Sequence, residues 1–300
     1  MKEYSKSRHI WRALWPFLAF MGIQVAISVA GMIFLIAYYL ISIPIAMDMM
    51  DDVIIFAAEQ LVLEHMLLML LISSLISLAL YIPLWRATRK THTQLNTGTL
   101  GVSGVLLVSG MFIGLNLAIV SIMDLTPILD YFPSYIEHME TLANGHILLQ
   151  ILVVGILVPV VEELCFRGVV LNRLASWAPT WVAVLISSAL FGLLHLNLFQ
   201  SLYATIIGVL CGWVYIRTRN LWASIAGHIA FNSINIGLVH YLEVTGTDWP
   251  SALAIIPMAV LTVICTIMLR IQANKRSNPN GGEVDCWVEF SEPSGSRDKV

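Results

Sequence analysis

The fold is decided by the stretch HILLQILVVGILVPVVEELCFRG, residues His146–Gly168. Its first part, His146 to Val161, is a continuous apolar run, and about 20 residues of helix cross the hydrocarbon core of a bilayer. Two adjacent glutamates and then an arginine follow the run without a break. A carboxylate at the centre of a bilayer costs about 2.5–3.5 kcal/mol on insertion scales. The stretch therefore predicts a membrane helix whose charged groups have a function.

The composition of the whole chain agrees with a membrane protein. The chain has 300 residues, of which 58% are hydrophobic and 12% charged, and the mean hydropathy is +0.82. These values lie far outside the range of soluble domains. The net charge of −3 argues against nucleic acid as a partner. Four cysteines without CxxC spacing imply no disulfide framework.

The apolar runs and the charges between them predict a topology. Eight runs are long enough for helices: Leu14–Ile43, Leu61–Leu84, Thr99–Met123, His146–Val161, Trp181–Leu196, Leu198–Ile216, Leu221–Tyr241 and Ser251–Leu269. With the N-terminus in the cytoplasm, all 16 Lys and Arg residues lie on the cytoplasmic side or in the cytoplasmic half of a helix. We expect an all-α polytopic transmembrane bundle of about eight helices in the plasma (inner) membrane of a prokaryote.

The domain organisation is simple. We expect one transmembrane domain over residues 1–271, with its chemistry in a core of about 146–241. The remaining segment, 272–300, is rich in Asn, Pro, Gly, Ser and charge, and this composition predicts a flexible, disordered cytoplasmic tail.

The turn between the fourth and fifth helices brings polar residues to one depth. The sequence WAP, Trp177–Pro179, favours a turn because proline disfavours helix in the residue before it. Glu162 is 16 residues before Ala178, and His195 is 16 residues after Pro179. In an antiparallel hairpin the two side chains therefore lie at the same depth. The same count predicts that the fourth helix continues past Glu163 to the cytoplasmic face.

The two glutamates have different predicted roles. Neighbours on a helix point about 100° apart, so only one of them faces a given cleft. Glu163 and Arg167 have the i, i+4 spacing that favours an ion pair. Arg167 then neutralises and orients Glu163, while Glu162 is available for chemistry. A buried ion network that only holds helices together is the alternative.

Further polar residues complete a constellation. His195 lies in FGLLH, and His228 and Asn232 lie four residues apart on one face of the seventh helix. Small residues, Gly168, Gly192, Gly208, Gly212 and Gly227, would allow the helices to approach closely. A carboxylate, two imidazoles and a carboxamide on three helices can activate water and stabilise an oxyanion. His228 lies only about 10 Å into its helix, against about 24 Å for Glu162, so we expect the fourth and fifth helices to tilt or protrude into the cytoplasm.

These motifs resemble a known family. EELCFR reads as EExxxR, FGLLH as FxxxH and HIAFN as HxxxN, in this order. This pattern is similar to the CAAX prenyl protease 2 and bacteriocin-processing (CPBP, Abi) intramembrane proteases. The resemblance covers about Glu162 to Asn232.

The resemblance implies an intramembrane endopeptidase that acts on a protein or peptide, such as a prenylated CAAX-type protein or a bacteriocin-like peptide. Glu162, with His195, would activate the water, and His228 and Asn232 would donate hydrogen bonds to the oxyanion. Glu163 and Arg167 would orient the first carboxylate.

A metal-dependent mechanism stays open beside the glutamate-dependent one. Glu162, His195 and His228 could supply three ligands to a catalytic zinc, with Glu163 as the base. No HExxH motif is present, and ligands so far apart in sequence are weak support for a metal, so we commit to no cofactor.

Two other classes of protein remain as alternatives. A transporter could use the Glu, Arg and His cluster as a proton or ion relay. A non-catalytic scaffold would pair the same groups tightly, without an open polar cavity. The sequence shows no inverted repeat that would favour a transporter.

Overall fold

The structure is a computed structural model that describes residues 2–42, 50–91, 99–136, 139 and 146–277. Eight long helices run through this part of the chain: α1 (Lys2–Ser42), α2 (Met50–Thr91), α3 (Val102–Leu125), α4 (Ile147–Ala175), α5 (Thr180–Leu193), α6 (Leu198–Thr218), α7 (Leu221–Thr245) and α8 (Ser251–Ser277). A short 3₁₀ helix, Pro127–Tyr131, follows α3. No strand occurs among the described residues, so the all-α prediction is confirmed.

Six of these helices have the length and hydropathy to cross a membrane. They are Ser7–Tyr38, His65–Lys90, Val102–Leu125, Ile147–Ala175, Leu198–Thr218 and Ser251–Asn274. The apolar helix α5 has only 14 residues, fewer than a full crossing needs. The molecule is therefore a polytopic membrane bundle, as the hydropathy predicts. The side of the membrane on which the N-terminus lies stays a prediction.

Most helices extend beyond the apolar runs that predict them. The hydrocarbon core limits an apolar run, whereas backbone hydrogen bonds continue a helix into the polar region. Helix α8 continues to Ser277, past the predicted start of the tail at Gln272, and the end of the transmembrane domain stays a prediction. The rest of the predicted tail, 278–300, lies outside the described residues.

Helix α4 departs from α-helical hydrogen bonding in two segments. It is π-helical over Ile151–Leu157 and over Leu164–Leu171, with an α-helical segment, Val158–Glu163, between them. Segments of π-helix are frequent at functional sites because they shift the register of the side chains. The prediction that this helix runs on past Glu163 is confirmed, since α4 ends at Ala175.

Helix α4 lies at the centre of the bundle. It packs against α1, α2, α5, α6 and α7, and its second π-helical segment is fully buried. Phe166 of α4 packs against aromatic rings of α1 and α5. Helices α3, α7 and α8 form a second packed group beside it. The centre of the bundle therefore holds the polar residues of α4 away from lipid.

Glycine determines one close contact near the site. At Gly192 a Cβ atom would collide with Thr205 of α6. The other glycines expected at helix contacts, Gly168, Gly208, Gly212 and Gly227, also face atoms of neighbouring helices. The expectation that small residues let these helices approach is confirmed.

Candidate active site

The carboxylate of Glu163 is held by three donors on two helices. Arg167 of the same helix donates from Nη1 to Oε1 at 2.8 Å. From α7, Nδ1 of His228 lies 3.0 Å from Oε1, and the hydroxyl of Ser224 donates to Oε2 at 2.6 Å. Glu163 and Arg167 are both 0% exposed. The predicted i, i+4 ion pair is therefore present, and both oxygens of Glu163 are occupied.

Arg167 connects this carboxylate to two further helices. Its Nη2 donates to the backbone carbonyl of Gly208 on α6 at 2.6 Å. Its guanidinium lies over the ring of Phe191 on α5, 4.9 Å from the centroid. Both contacts suit a buried guanidinium, which is planar and offers donors on two sides. The ion pair is thus part of a rigid connection between α4, α5, α6 and α7.

Glu162 faces a cavity instead. The cavity has a volume of about 930 Å³, and its lining includes Glu162, His195, His228 and Asn232. Oε2 of Glu162 lies 3.7 Å from Nε2 of His228. Glu163 and Arg167 do not line the cavity. The two neighbouring glutamates therefore point in different directions, one into the buried network and one into the cavity.

His195 lies just outside the helix on which it was predicted. Helix α5 ends at Leu193, and His195 is in the turn that leads to α6. The next residue, Leu196, has a left-handed backbone with φ of 54°, which ends the helix and turns the chain. His195 and Glu162 both line the cavity, and their common depth stays a prediction.

Each histidine has one ring nitrogen whose role follows from its partner. Nδ1 of His195 lies 3.1 Å from the carbonyl oxygen of Phe191. Because a carbonyl oxygen only accepts, Nδ1 carries the hydrogen. By the same reasoning Nδ1 of His228 donates to Glu163. The Nε2 atom of a neutral imidazole is then the one with a lone pair for chemistry.

Asn232 is held by a carbonyl group of α4. Its Nδ2 donates to the oxygen of Val154 at 3.1 Å, and Ser233 donates to the oxygen of Gly155 at 3.3 Å. Pro159 lies four to five residues later and has no N–H to donate to either oxygen. The amide of Asn232 has a second hydrogen, and the residue lines the cavity.

One group of three side chains in the described part has potential ligand atoms within 4.8 Å of one another, and it consists of Glu163, Cys211 and His228. This group does not fit a metal ion, because Arg167 and Ser224 already donate to Glu163 and His228 donates to it from Nδ1. The side chains of Glu162, His195 and His228 are better suited to bind a metal ion. Both histidines donate from Nδ1 to an oxygen, as metal-bound histidines do.

Sequence reasoning assigned no site contact to three residues that have one: Ser224, Gly208, which it named only as a small residue, and Phe191, which it named only within FGLLH. Ser224, Gly208 and the ring of Phe191 all contact the Glu163–Arg167 pair or the two histidines. Ser224 had a signal, since it lies four residues before His228 and so on the same face of α7. The carbonyl group of Gly208 has no such signal in the sequence, because every residue carries a backbone carbonyl.

Residues 144–234 match the family model described as type II CAAX prenyl endopeptidase Rce1-like. The motif-bearing part of this chain is therefore similar to the CAAX prenyl proteases. A Bacillus subtilis protein named "Putative membrane peptidase YdiL" is 34% identical over 85 residues, which cover 28% of this chain and 35% of that protein. The chain thus spans about a third of the length of the curated relative that it matches. No solved structure matches it significantly.

The part matched to the CAAX protease family contains the residues predicted for the site. Glu162, Glu163, Arg167, His195, His228 and Asn232 all lie within it. Helices α1 to α3 and α8 lie outside, although α1, α2 and α3 contribute part of the cavity wall. The family match therefore covers the predicted site residues, whereas other polar residues of the cavity wall, such as Asp124, Asn235 and Glu243, lie outside it.

Proposed function

We propose that this protein is an intramembrane endopeptidase that hydrolyses a peptide bond with a water molecule activated by Glu162. The observation that carries the proposal is the approach of Glu162 to Nε2 of His228, at 3.7 Å, on the wall of a cavity that His195 also lines. The match to CAAX prenyl proteases supports the reaction type.

The reaction begins with the water. Glu162, assisted by Nε2 of His195, removes one proton from the water as its oxygen attacks the carbonyl carbon of the peptide. The carbon–nitrogen bond then breaks, and the same proton is transferred to the leaving amine. The products are a carboxylic acid and an amine, which become a carboxylate and an ammonium group once the acid's proton passes to the amine, and the enzyme returns to its starting state. Glu162 is 5% exposed, so little bulk water contacts this carboxylate.

The oxyanion of the tetrahedral intermediate requires hydrogen-bond donors. The second amide hydrogen of Asn232 is available, because Val154 accepts only the first. His228 donates from Nε2 when its ring is protonated, and Glu163 fixes that ring through Nδ1. Donors that are fixed before the reaction stabilise developing charge without reorganisation. Glu163 and Arg167 act indirectly, because they hold His228 and α4 in place.

A zinc-dependent version uses the same cavity. Glu162, His195 and His228 would hold the ion, which would polarise the carbonyl and acidify a bound water. Glu163 is poorly placed as the base in this version, because both its oxygens accept hydrogen bonds and it does not line the cavity. We favour the mechanism without a metal for this reason.

The alternatives have less support. A scaffold would pair its buried polar groups with no open polar cavity, whereas a cavity lies at Glu162. The family match favours a peptidase over a transporter. The substrate is a protein or peptide that reaches the site from the bilayer, and prenylated CAAX-type proteins and bacteriocin-like peptides are both candidates.

The Glu162→Gln variant tests the proposal. We would purify wild-type and variant protein in detergent and offer three fluorogenic peptides: a farnesylated CAAX peptide, its unprenylated form and a bacteriocin-like peptide. We expect the wild type to cleave at least one peptide, and E162Q to lose at least about 100-fold in rate, as removal of a general base does. Asp130→Asn removes an exposed carboxylate outside the cavity and serves as the control. Equal cleavage by E162Q and the wild type would refute the assignment, and the preferred peptide identifies the substrate class.

A further inference from the structure

Ser224 contacts a residue of the site but has no role in the proposed mechanism. It lies in the first turn of α7, its side chain is 0% exposed, and its hydroxyl is 2.6 Å from Oε2 of Glu163 and 3.0 Å from the carbonyl oxygen of Cys211. A hydroxyl has one hydrogen to give to these two acceptors. Hydrogen bonds to a charged acceptor are shorter and stronger, so the carboxylate takes it.

The three donors to Glu163 divide between its two oxygens. Arg167 and His228 both bind Oε1, and Ser224 binds Oε2. With contacts at Oε1 alone, the carboxylate can pivot about that atom. The contact at Oε2 fixes the plane of the carboxylate, and with it the direction in which Oε1 accepts from Nδ1 of His228.

The orientation of His228 follows from this plane. Nδ1 and Nε2 lie on opposite sides of the imidazole ring, so a ring fixed at Nδ1 aims Nε2 at one place. That place is Oε2 of Glu162, 3.7 Å away. Because Ser224 and His228 lie four residues apart on α7, both reach the same carboxylate from the same helix face.

We propose that Ser224 is a positioning residue, which fixes the Glu163 carboxylate and thereby holds Nε2 of His228 beside Glu162, where it can donate to the oxyanion. This inference rests on the proposed function, in which His228 contacts the reacting group. Ser224 itself does not line the cavity and contacts no substrate.

The first measurement separates kcat from KM in the Ser224→Ala variant, with the peptide that the wild type cleaves. Outer-shell partners of metal-bound histidines are worth about 10–100-fold in metal affinity or activity, and we take this range for the histidine here. We expect kcat to fall by about this factor, with KM changed less than about twofold. Ser224→Cys keeps a weak donor of similar size, and its kcat should lie between those of the wild type and Ser224→Ala. The control is Ser187→Ala, because Ser187 is also 0% exposed and donates to the backbone of α4, at Phe166, away from the carboxylate.

The second measurement is a double-mutant cycle on thermal unfolding, which requires no substrate. If Ser224 acts through the Glu163 carboxylate, Ser224→Ala lowers Tm in the wild type and by less than half as much in a Glu163→Gln background. Equal decreases in both backgrounds would mean that Ser224 only packs or binds Cys211, and they would overturn the proposal. An unchanged kcat in Ser224→Ala would overturn it too. Failure of the proposed function gives a different result. In that case E162Q cleaves the peptide as fast as the wild type, while the double-mutant cycle still reports the contact between Ser224 and Glu163.

Discussion

Replacing Arg167 by methionine should strongly destabilise the bundle. Arg167 and Glu163 are both 0% exposed, and their closest atoms are 2.8 Å apart. Methionine has a similar length but no charge, so Arg167→Met leaves a buried carboxylate without its cation. Removal of one partner of a buried ion pair costs about 3–5 kcal/mol. The carbonyl of Gly208 also loses a charged donor.

Thermal unfolding in detergent measures this loss. A change of 1 kcal/mol shifts Tm by about 2–4 °C in domains of 150–250 residues, so we expect Arg167→Met to lower Tm by at least about 6 °C. The double variant Arg167→Met/Glu163→Gln should recover part of this loss, because it removes the uncompensated charge. Arg167→Lys keeps the charge but not the fork that reaches both Glu163 and Gly208, and its Tm should lie in between. Two results would contradict this reasoning. One is a Tm of Arg167→Met within about 2 °C of the wild type, and the other is a double variant whose Tm loss equals the sum of the losses of the two single variants.

Three further predictions concern the surroundings of the site. Gly192→Ala should lower Tm by several degrees, because the new Cβ collides with Thr205. The control is Gly237→Ala, which has no atom within 4 Å of its Cβ position and should leave Tm unchanged or higher. Equal shifts in the two variants would contradict the close contact of α5 with α6. Leu196→Gly should raise stability by about 1 kcal/mol, because glycine adopts the positive φ without strain, and a lower Tm would show that the leucine side chain matters more. Incubation with EDTA, followed by metal analysis, should leave peptide cleavage unchanged; a loss that zinc restores would instead favour the zinc-dependent mechanism.

The sequence predicts the parts of the site that depend on spacing along one helix or across one turn. The i, i+4 rule gives the Glu163–Arg167 pair, and counting from the WAP turn gives the common cavity of Glu162 and His195. The eight apolar runs each fall on a helix, because hydrophobic length is a property of sequence alone.

Other features depend on tertiary contacts and could not be predicted. The π-helical segments of α4 have no sequence signature of their own, although Pro159 explains why Val154 and Gly155 offer their carbonyls to α7. The contact of Arg167 with Gly208 joins residues 41 apart in sequence. The structure brings His228 to Glu162, but the tilt of α4 and α5 relative to the bilayer stays a prediction.

The arrangement of Glu163 and Arg167 on one helix has a consequence for biogenesis. Each of the two charges alone would oppose entry of α4 into the membrane, but together on one helix face they form a neutral unit. Both partners of this unit precede α6 and α7 in the chain, and those helices carry Gly208, Ser224 and His228. Helix α4 can therefore partition into the bilayer as soon as it emerges. The later helices then assemble around an ion pair that is already in place.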